Sequence, residues 1–201
     1  MTVGIIDYGC GNLFSLRSSF SRIGARATVT SDKAELIKCD RIVLPGVGAF
    51  PEAMQKLNGA GLIGTVRDMA AGTPLLGICL GMQMLFDRSS EFGECDGLGM
   101  IKGNVVPLDC AAVGLKVPQM GWNALKIDKG CPLFKYTRNG DYVYFVHSYH
   151  AVNCGESVTA TVDYGGDVTA AVSCGHVFGT QFHPEKSGEV GLNILRAFTE
   201  L

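Results

Sequence analysis

Two short stretches carry residues that could do covalent chemistry. The first, GICLG at 77–81, sets Cys79 between two glycines where the apolar run TPLLGI gives way to LGMQ. A G-x-C-x-G pattern is the thiol form of a nucleophile elbow. The nucleophile takes a strained conformation on a strand-to-helix turn, and the flanking glycines leave room where a Cβ would clash. The thiol then stands above a helix N-terminus, whose free N–H groups favour thiolate, and the Leu80 N–H faces the same space as an oxyanion donor. The second stretch, QFHPEKS at 181–187, supplies a base. In extended chain His183 and Glu185 share a face, and Pro184 holds His183 extended, so Glu185 orients one imidazole nitrogen while the other faces a thiol. Each stretch alone has a plainer reading, a buried filler cysteine and a surface His–Glu pair. Together they supply nucleophile, base and orienter, and the triad reading prevails.

Other residues gather around these two. LPGVG at 44–48 ends another apolar run, and the N–H groups of Val47 and Gly48 can face the same mouth. Its two glycines suit either an ordinary turn or a peptide able to flip into an oxyanion hole. Gln83 lies one turn past Cys79 and faces either the pocket or solvent. YFVHSYH at 144–150 puts Ser148 and Tyr149 at a strand end, although its aromatics alone read as core.

The elements that must position these residues alternate along the first half of the chain. VGIIDYG, ATVT, RIVLPGVGAF and TPLLGI read as strands without polar alternation. Between and after them come helical stretches: NLFSLRSSFSRIG, capped by Asn12, SDKAELIKC, a long segment through MQKLNGAGLIGTVRDMAAG, and LGMQMLFDRS. Buried strands each followed by a helix predict a parallel sheet covered on both faces. After about residue 95, Gly- and Pro-punctuated runs such as LKVPQMGWNALKI, ESVTATVDYG and DVTAAVSCG predict antiparallel hairpins, before a last helix in SGEVGLNILRAFTEL. The expected fold is α/β: a doubly wound, mostly parallel sheet flanked by helices, with additional antiparallel strands in the C-terminal half. No linker interrupts it, so residues 1–201 are expected to form one domain.

Composition narrows the function. With 47% apolar and 18% charged residues the chain is globular, and a net charge of −2 without a basic stripe makes nucleic acid and membrane surfaces poor partners. MTVGIIDYG lacks a basic leader, and no apolar run approaches the roughly 18 residues of a membrane span. The eight cysteines are scattered singly with no metal spacing, so the expectation is a cytoplasmic protein with reduced thiols, most of them buried fillers. No metal and no cofactor is expected.

GICLGMQ followed by QFHPEKS resembles the class I (triad) glutamine amidotransferases. DYGCGNL, LPGVGAF, VPQMGWN and YFVHSYH further resemble, within that class, the glutaminase subunits of imidazole glycerol phosphate synthases. The resemblance spans nearly the whole chain. It implies Cys79 as nucleophile toward the side-chain amide of glutamine, His183 as base and then acid, and Glu185 as orienter. It implies an oxyanion hole from the Val47–Gly48 peptide and the Leu80 N–H, with glutamine held at Gly48, Gln83, Glu91, Ser148 and Tyr149. It also implies a heterodimer with a (β/α)8-barrel cyclase subunit, contacted through Asn12, Trp122, Tyr144 and Lys186. The rival expectations are an amidotransferase serving another acceptor, a scaffold without activity, and a cysteine hydrolase of the same architecture.

Overall fold

A computed structural model describes residues 1–109, 114–128 and 130–201. Among these, thirteen strands and six α-helices follow one another along the chain. The first half contains β1 (Thr2–Ile6), α1 (Leu13–Arg22), β2 (Arg26–Thr30), α2 (Lys33–Leu36), β3 (Arg41–Leu44), α3 (Phe50–Gly59), α4 (Ile63–Ala70), β4 (Leu75–Ile78) and α5 (Leu80–Gln83). The second half contains β5 (Arg88–Ser89), β6 (Cys95–Asp96), β7 (Asn104–Pro107), β8 (Gln119–Ile127), β9 (Tyr142–His147), β10 (Tyr149–Val152), β11 (Val158–Asp163), β12 (Asp167–Cys174), β13 (Val177–Thr180) and α6 (Gly188–Thr199). Nine strands form the main sheet in the order β2-β1-β3-β4-β13-β12-β11-β8-β9. The first five are mutually parallel and the rest antiparallel. A smaller sheet, β10-β7-β5-β6, flanks it.

The inner strands β1, β3 and β4 feed both faces, as period-2 alternation requires. Val3, Ile5, Val43, Leu76 and Ile78 pack with Leu16 and Phe20 of α1 and with Ile194, Leu195 and Phe198 of α6. Ile6, Ile42, Leu44 and Leu75 pack on the other side with Leu36, Phe50, Leu57 and Val66 of α2, α3 and α4. Strands buried on both faces cannot show polar alternation, which is why they read as continuous apolar runs.

The helical expectations hold in kind and shift in extent. Asn12 caps α1, its Oδ1 accepting from the Ser15 N–H at 3.3 Å. The long segment after PGVG is two helices, divided where Gly61 takes φ +67°. The helix expected over LGMQMLFDRS covers only Leu80–Gln83 before the chain turns. Seven described cysteines are free; Cys10, Cys39, Cys79 and Cys154 are buried, Cys95 and Cys131 half-buried, and Cys174 exposed. The filler reading therefore fails for Cys174, and Cys110 lies outside the described residues.

Candidate active site

Three adjacent parallel strands bring the chemistry to one edge. Leu44 of β3 is level with Gly77 of β4, and Ile78 of β4 with Thr180 of β13. The segments that follow, Pro45–Gly48, Cys79 and Gln181–His183, therefore emerge side by side at the carboxyl ends of the sheet, where open α/β folds place their sites. Cys79 has φ 54° and ψ −113°, a conformation L-residues rarely adopt, and its N–H donates to the Thr180 carbonyl at 2.7 Å. Glycine is obligatory around it. A Cβ on Gly77 would stand 2.7 Å from the Gly81 carbonyl oxygen, and one on Gly81 would collide with the Leu44 carbonyl. A Cβ on Gly46 would lie 2.5 Å from the Gly81 nitrogen, so the PGVG turn and the elbow interlock backbone to backbone. With only four residues in α5, the environment of the sulfur comes from its neighbours more than from a helix dipole.

Those neighbours begin with His183, which is 3% exposed. Its Nδ1 is 2.8 Å from Glu185 Oε1, which leaves Nε2 for the hydrogen bond to Cys79. Burial disfavours the charged ring, but the hydrogen bonds to Cys79 and Glu185 and the charges behind them outweigh it, pushing the pKa up from 6.5 to about 9. The way Glu185 reaches His183 differs from expectation. Pro184–Lys186 is a 3-10 turn, closed by the Lys186 N–H donating to the His183 carbonyl at 3.0 Å, so the carboxylate returns by a turn rather than along an extended face. Backbone and side chain hold the base on the other side: His183 N–H donates to the Tyr144 carbonyl at 2.9 Å, and Ser187 Oγ donates to the His183 carbonyl at 2.6 Å.

Cys79 and His183 open onto a cavity of about 320 Å³, lined also by Val47, Gly48, Leu80, Gln83, Glu91, Ser148, Tyr149 and Lys186. Thus every expected substrate and oxyanion residue reaches one space, and Lys186, expected at a partner surface, borders it too. The Leu80 N–H is the first amide of α5 and has no intrahelical acceptor. Gly48 has φ +96°, and Val47 is 45% exposed. The loop carrying them is held at both ends. Tyr8 Oη donates to the Pro45 carbonyl at 2.6 Å, and Glu91 Oε2 accepts from the Phe50 N–H at 2.7 Å, capping α3 where Ala49 offers no side-chain cap. Burial raises the Tyr8 phenol well above its ordinary pKa, so it stays a donor.

Sequence reasoning missed several of these groups. Tyr8 lies in the DYG stretch, and nothing in its type foretold that it would span to Pro45. His147 lines the cavity, with Nδ1 2.8 Å from the Tyr149 carbonyl; burial lowers its pKa to about 4 and keeps the ring neutral. Gln181 is fully buried beside Cys79, with Nε2 3.7 Å from Sγ. Its only signal was being two residues before His183 on the same extended segment.

Of the four expected partner-contact residues, three form one cluster. Trp122 on β8 and Tyr144 on β9 pair across the strands with ring centroids 6.0 Å apart, and Lys186 Nζ sits 5.8 Å from the Tyr144 ring. Trp122 is 51% exposed and shares its face with exposed Met120 and Tyr142. Asn12 is the N-cap of α1, whose first turn borders a surface cleft with Pro184 and Glu185.

The sequence from residue 4 to 200 matches the family described as glutamine amidotransferase class-I. The imidazole glycerol phosphate synthase subunit HisH of Bacillus cereus is 48% identical over 98% of this chain and 93% of its own, and that of Caldanaerobacter subterraneus is 48% identical over 99% and 98%. A solved structure described as glutamine amidotransferase superimposes with a TM-score of 0.77 at 22% identity, covering 98% of this chain and 97% of that one, which is a likeness of fold. A nucleophile elbow, a buried His–Glu pair and near-complete alignment with these relatives agree: the chain belongs to the class I glutamine amidotransferases, in the family of the imidazole glycerol phosphate synthase subunit HisH.

Proposed function

We propose that this chain is the glutaminase subunit of an imidazole glycerol phosphate synthase, acting in histidine biosynthesis. The observation that carries the reading is the buried line Cys79–His183–Glu185 at the wall of a cavity bordered by Gly48, Leu80, Gln83 and Glu91. Glutamine enters with its side-chain amide toward Cys79. Glu91 has one carboxylate oxygen on Phe50 and the other for the α-ammonium, while Gln83 and the Ser148–Tyr149 backbone hold the rest.

The thiolate of Cys79 attacks the amide carbon, and charge moves to the carbonyl oxygen. The Leu80 N–H and an N–H of the Val47–Gly48 peptide stabilise that oxyanion. His183, protonated at neutral pH, gives its proton to the departing nitrogen, and the C–N bond breaks to leave a glutamyl thioester and ammonia. Neutral His183 then takes a proton from water as its oxygen attacks the thioester. Collapse expels the thiolate and releases glutamate. Glu185 keeps Nδ1–H fixed so that Nε2 serves both steps.

Free ammonia is protonated quickly in water, so it requires an enclosed route to its acceptor. A (β/α)8-barrel cyclase subunit docked on the Trp122–Tyr144–Lys186 cluster and near Asn12 supplies that route and the nucleotide acceptor. The products are imidazole glycerol phosphate and aminoimidazole carboxamide ribotide. The exposed, glycine-flanked Val47 peptide is the element that the loaded partner aligns. We take residues 1–201 as one amidotransferase domain, cytoplasmic, acting on glutamine and a protein partner rather than nucleic acid or membrane; among the described residues no helix is long and apolar enough to cross a membrane.

The test is glutamate release by the chain alone, with the cyclase subunit, and with that subunit bound to its nucleotide. Strong release only in the last case supports the assignment and the gating, whereas equal release in all three refutes the gating. Cys79→Ala should abolish glutamine-dependent synthesis while ammonium at high pH restores it. Retained glutamine turnover in that variant would overturn the nucleophile assignment.

A further inference from the structure

The mechanism above leaves one buried polar side chain beside the sulfur unused. Gln181 has no exposed surface, and its two amide atoms point at two functional groups. Its Nε2 lies 3.7 Å from Cys79 Sγ, and its Oε1 accepts from Gln83 Nε2 at 2.9 Å. Gln83 Nε2 also donates to the Tyr149 carbonyl at 2.9 Å, the same oxygen that His147 Nδ1 approaches at 2.8 Å.

The direction of this chain follows from its far end. A backbone carbonyl can only accept, so Gln83 must turn its NH2 toward Tyr149. The same NH2 then faces Gln181, which must answer with its carbonyl oxygen. An amide has one oxygen and one NH2, so the NH2 of Gln181 is left for the sulfur. With the Gln181 amide turned round, a carbonyl oxygen would face the thiolate, and the hydrogen bond from Gln83 would be replaced by two opposed NH2 groups.

We infer that Gln181 is a further catalytic residue, an N–H donor to the Cys79 sulfur whose orientation is fixed through Gln83 by the Tyr149 carbonyl. The inference rests on the reading of Cys79 as nucleophile. The donor acts wherever the sulfur carries negative charge: before attack, and again when the C–S bond of the thioester breaks and the electron pair returns to sulfur. Its hydrogen bond weakens in the thioester, where that charge is gone, so it favours thiolate both as resting nucleophile and as leaving group. It also makes the segment proposed to hold glutamine, Ser148–Tyr149, the element that sets polarity at the nucleophile.

The test is the pH profile of Cys79 alkylation by iodoacetamide in the full chain, read by peptide mass, with exposed Cys174 in the same sample as internal reference. In Gln181→Met the Cys79 midpoint should rise by about one pH unit, roughly a tenfold loss of reactivity at a fixed lower pH, while Cys174 does not move. Gln181→Glu is a stronger perturbation of the same kind, since an ionised carboxylate still accepts from Gln83 but cannot donate to sulfur and repels the thiolate. A raised midpoint in Gln181→Met supports the donor role; a wild-type profile in Gln181→Glu, or an unmoved one in Gln181→Met, overturns it. Should either Gln181 variant not melt cooperatively, Gln83→Met reads the same polarity, because it frees the Gln181 amide to turn and should raise the midpoint by less. An unmoved midpoint there also counts against the inference. The nucleophile reading fails separately, by glutamine turnover in Cys79→Ala, and that result would remove the inference with it.

Discussion

Glu185→Gln is the sharpest single perturbation of the proposed mechanism, because it changes charge at nearly constant volume. In the wild-type protein the His183 pKa stands at about 9 against an ordinary 6.5, which corresponds to roughly 3 kcal/mol in favour of the charged ring. Burial works in the opposite direction, so the hydrogen bonds to Cys79 and Glu185 supply more than that difference between them. Removing the Glu185 charge leaves burial unopposed except by Cys79, and the pKa should fall by about one unit or more. The amide also has no good orientation. If its oxygen faces Nδ1–H, its NH2 occupies the place of Glu185 Oε2, a buried atom without a hydrogen-bond partner, at a cost of about 1–3 kcal/mol. If it turns round, two donors oppose each other and the ring adopts the tautomer that cannot act as base.

Because the imidazolium is the acid that releases ammonia, activity depends on the protonated ring and is lost as pH rises through its pKa. The alkaline limb of kcat/KM, near pH 9 in the wild type, should move down by about one unit. The maximal rate should fall roughly 10²- to 10³-fold, less than the ~10⁴-fold seen when the triad acid of a serine protease becomes an amide, since the thiolate is the better nucleophile at neutral pH. The assay is glutamate release across pH with the cyclase subunit and its nucleotide present. An alkaline limb that stays in place, together with kcat within about threefold of wild type, would refute the role given to Glu185.

Three further outcomes are expected. Gly81→Ala drives a Cβ into the Leu44 carbonyl, backbone against backbone, and should lower the unfolding free energy by about 1–3 kcal/mol in urea titration while abolishing glutamine hydrolysis. Glu91→Ala removes the acceptor at the N-terminus of α3 and should lose about 1 kcal/mol of stability as well as raising KM, whereas Glu91→Gln keeps an acceptor for Phe50, so it should raise KM with little change in melting. Trp122→Ala should lower melting only modestly, since half the side chain is already in solvent and the loss is its contact with Tyr144, but weaken cyclase binding by about 2 kcal/mol, roughly thirtyfold, by titration calorimetry.

Much of the fold was legible because its signals are local. β1, β3 and β4 are buried on both faces, so their apolar runs had no competing reading, and the cap at Asn12 marks α1. Extents were less legible: α5 ends after four residues because its neighbourhood is filled by the PGVG turn and by β13, contacts no local pattern encodes. At the site, Cys79 and His183 announced themselves by flanking glycine and proline. The groups that position them did not, since Tyr8 and Gln181 act through partners 37 and 102 residues away. For a buried amide such as Gln181, a place two residues before His183 marks proximity only; the donor role is read from the polarity of its partners.

The supports of the base also bear on how a partner could control the chemistry. Tyr144 belongs to two systems at once: its ring stands on the outer face with Trp122 and Lys186, and its carbonyl accepts from the His183 N–H. Its own N–H donates to Ser187 Oγ, which in turn holds the His183 carbonyl. A protein docked on that outer face therefore sits one peptide away from the base, yet the base is held there by three hydrogen bonds in a buried frame. The elbow is no freer, being locked by Gly46 and Gly81. Between the Tyr8 and Glu91 tethers lies the contrasting element, an exposed Val47 next to Gly48 in the left-handed region. We therefore propose that nucleophile and base stay in place while the peptide assigned to the oxyanion turns. Control by a partner most economically acts on the peptide, because turning it reorients a donor toward the carbonyl oxygen without disturbing the triad.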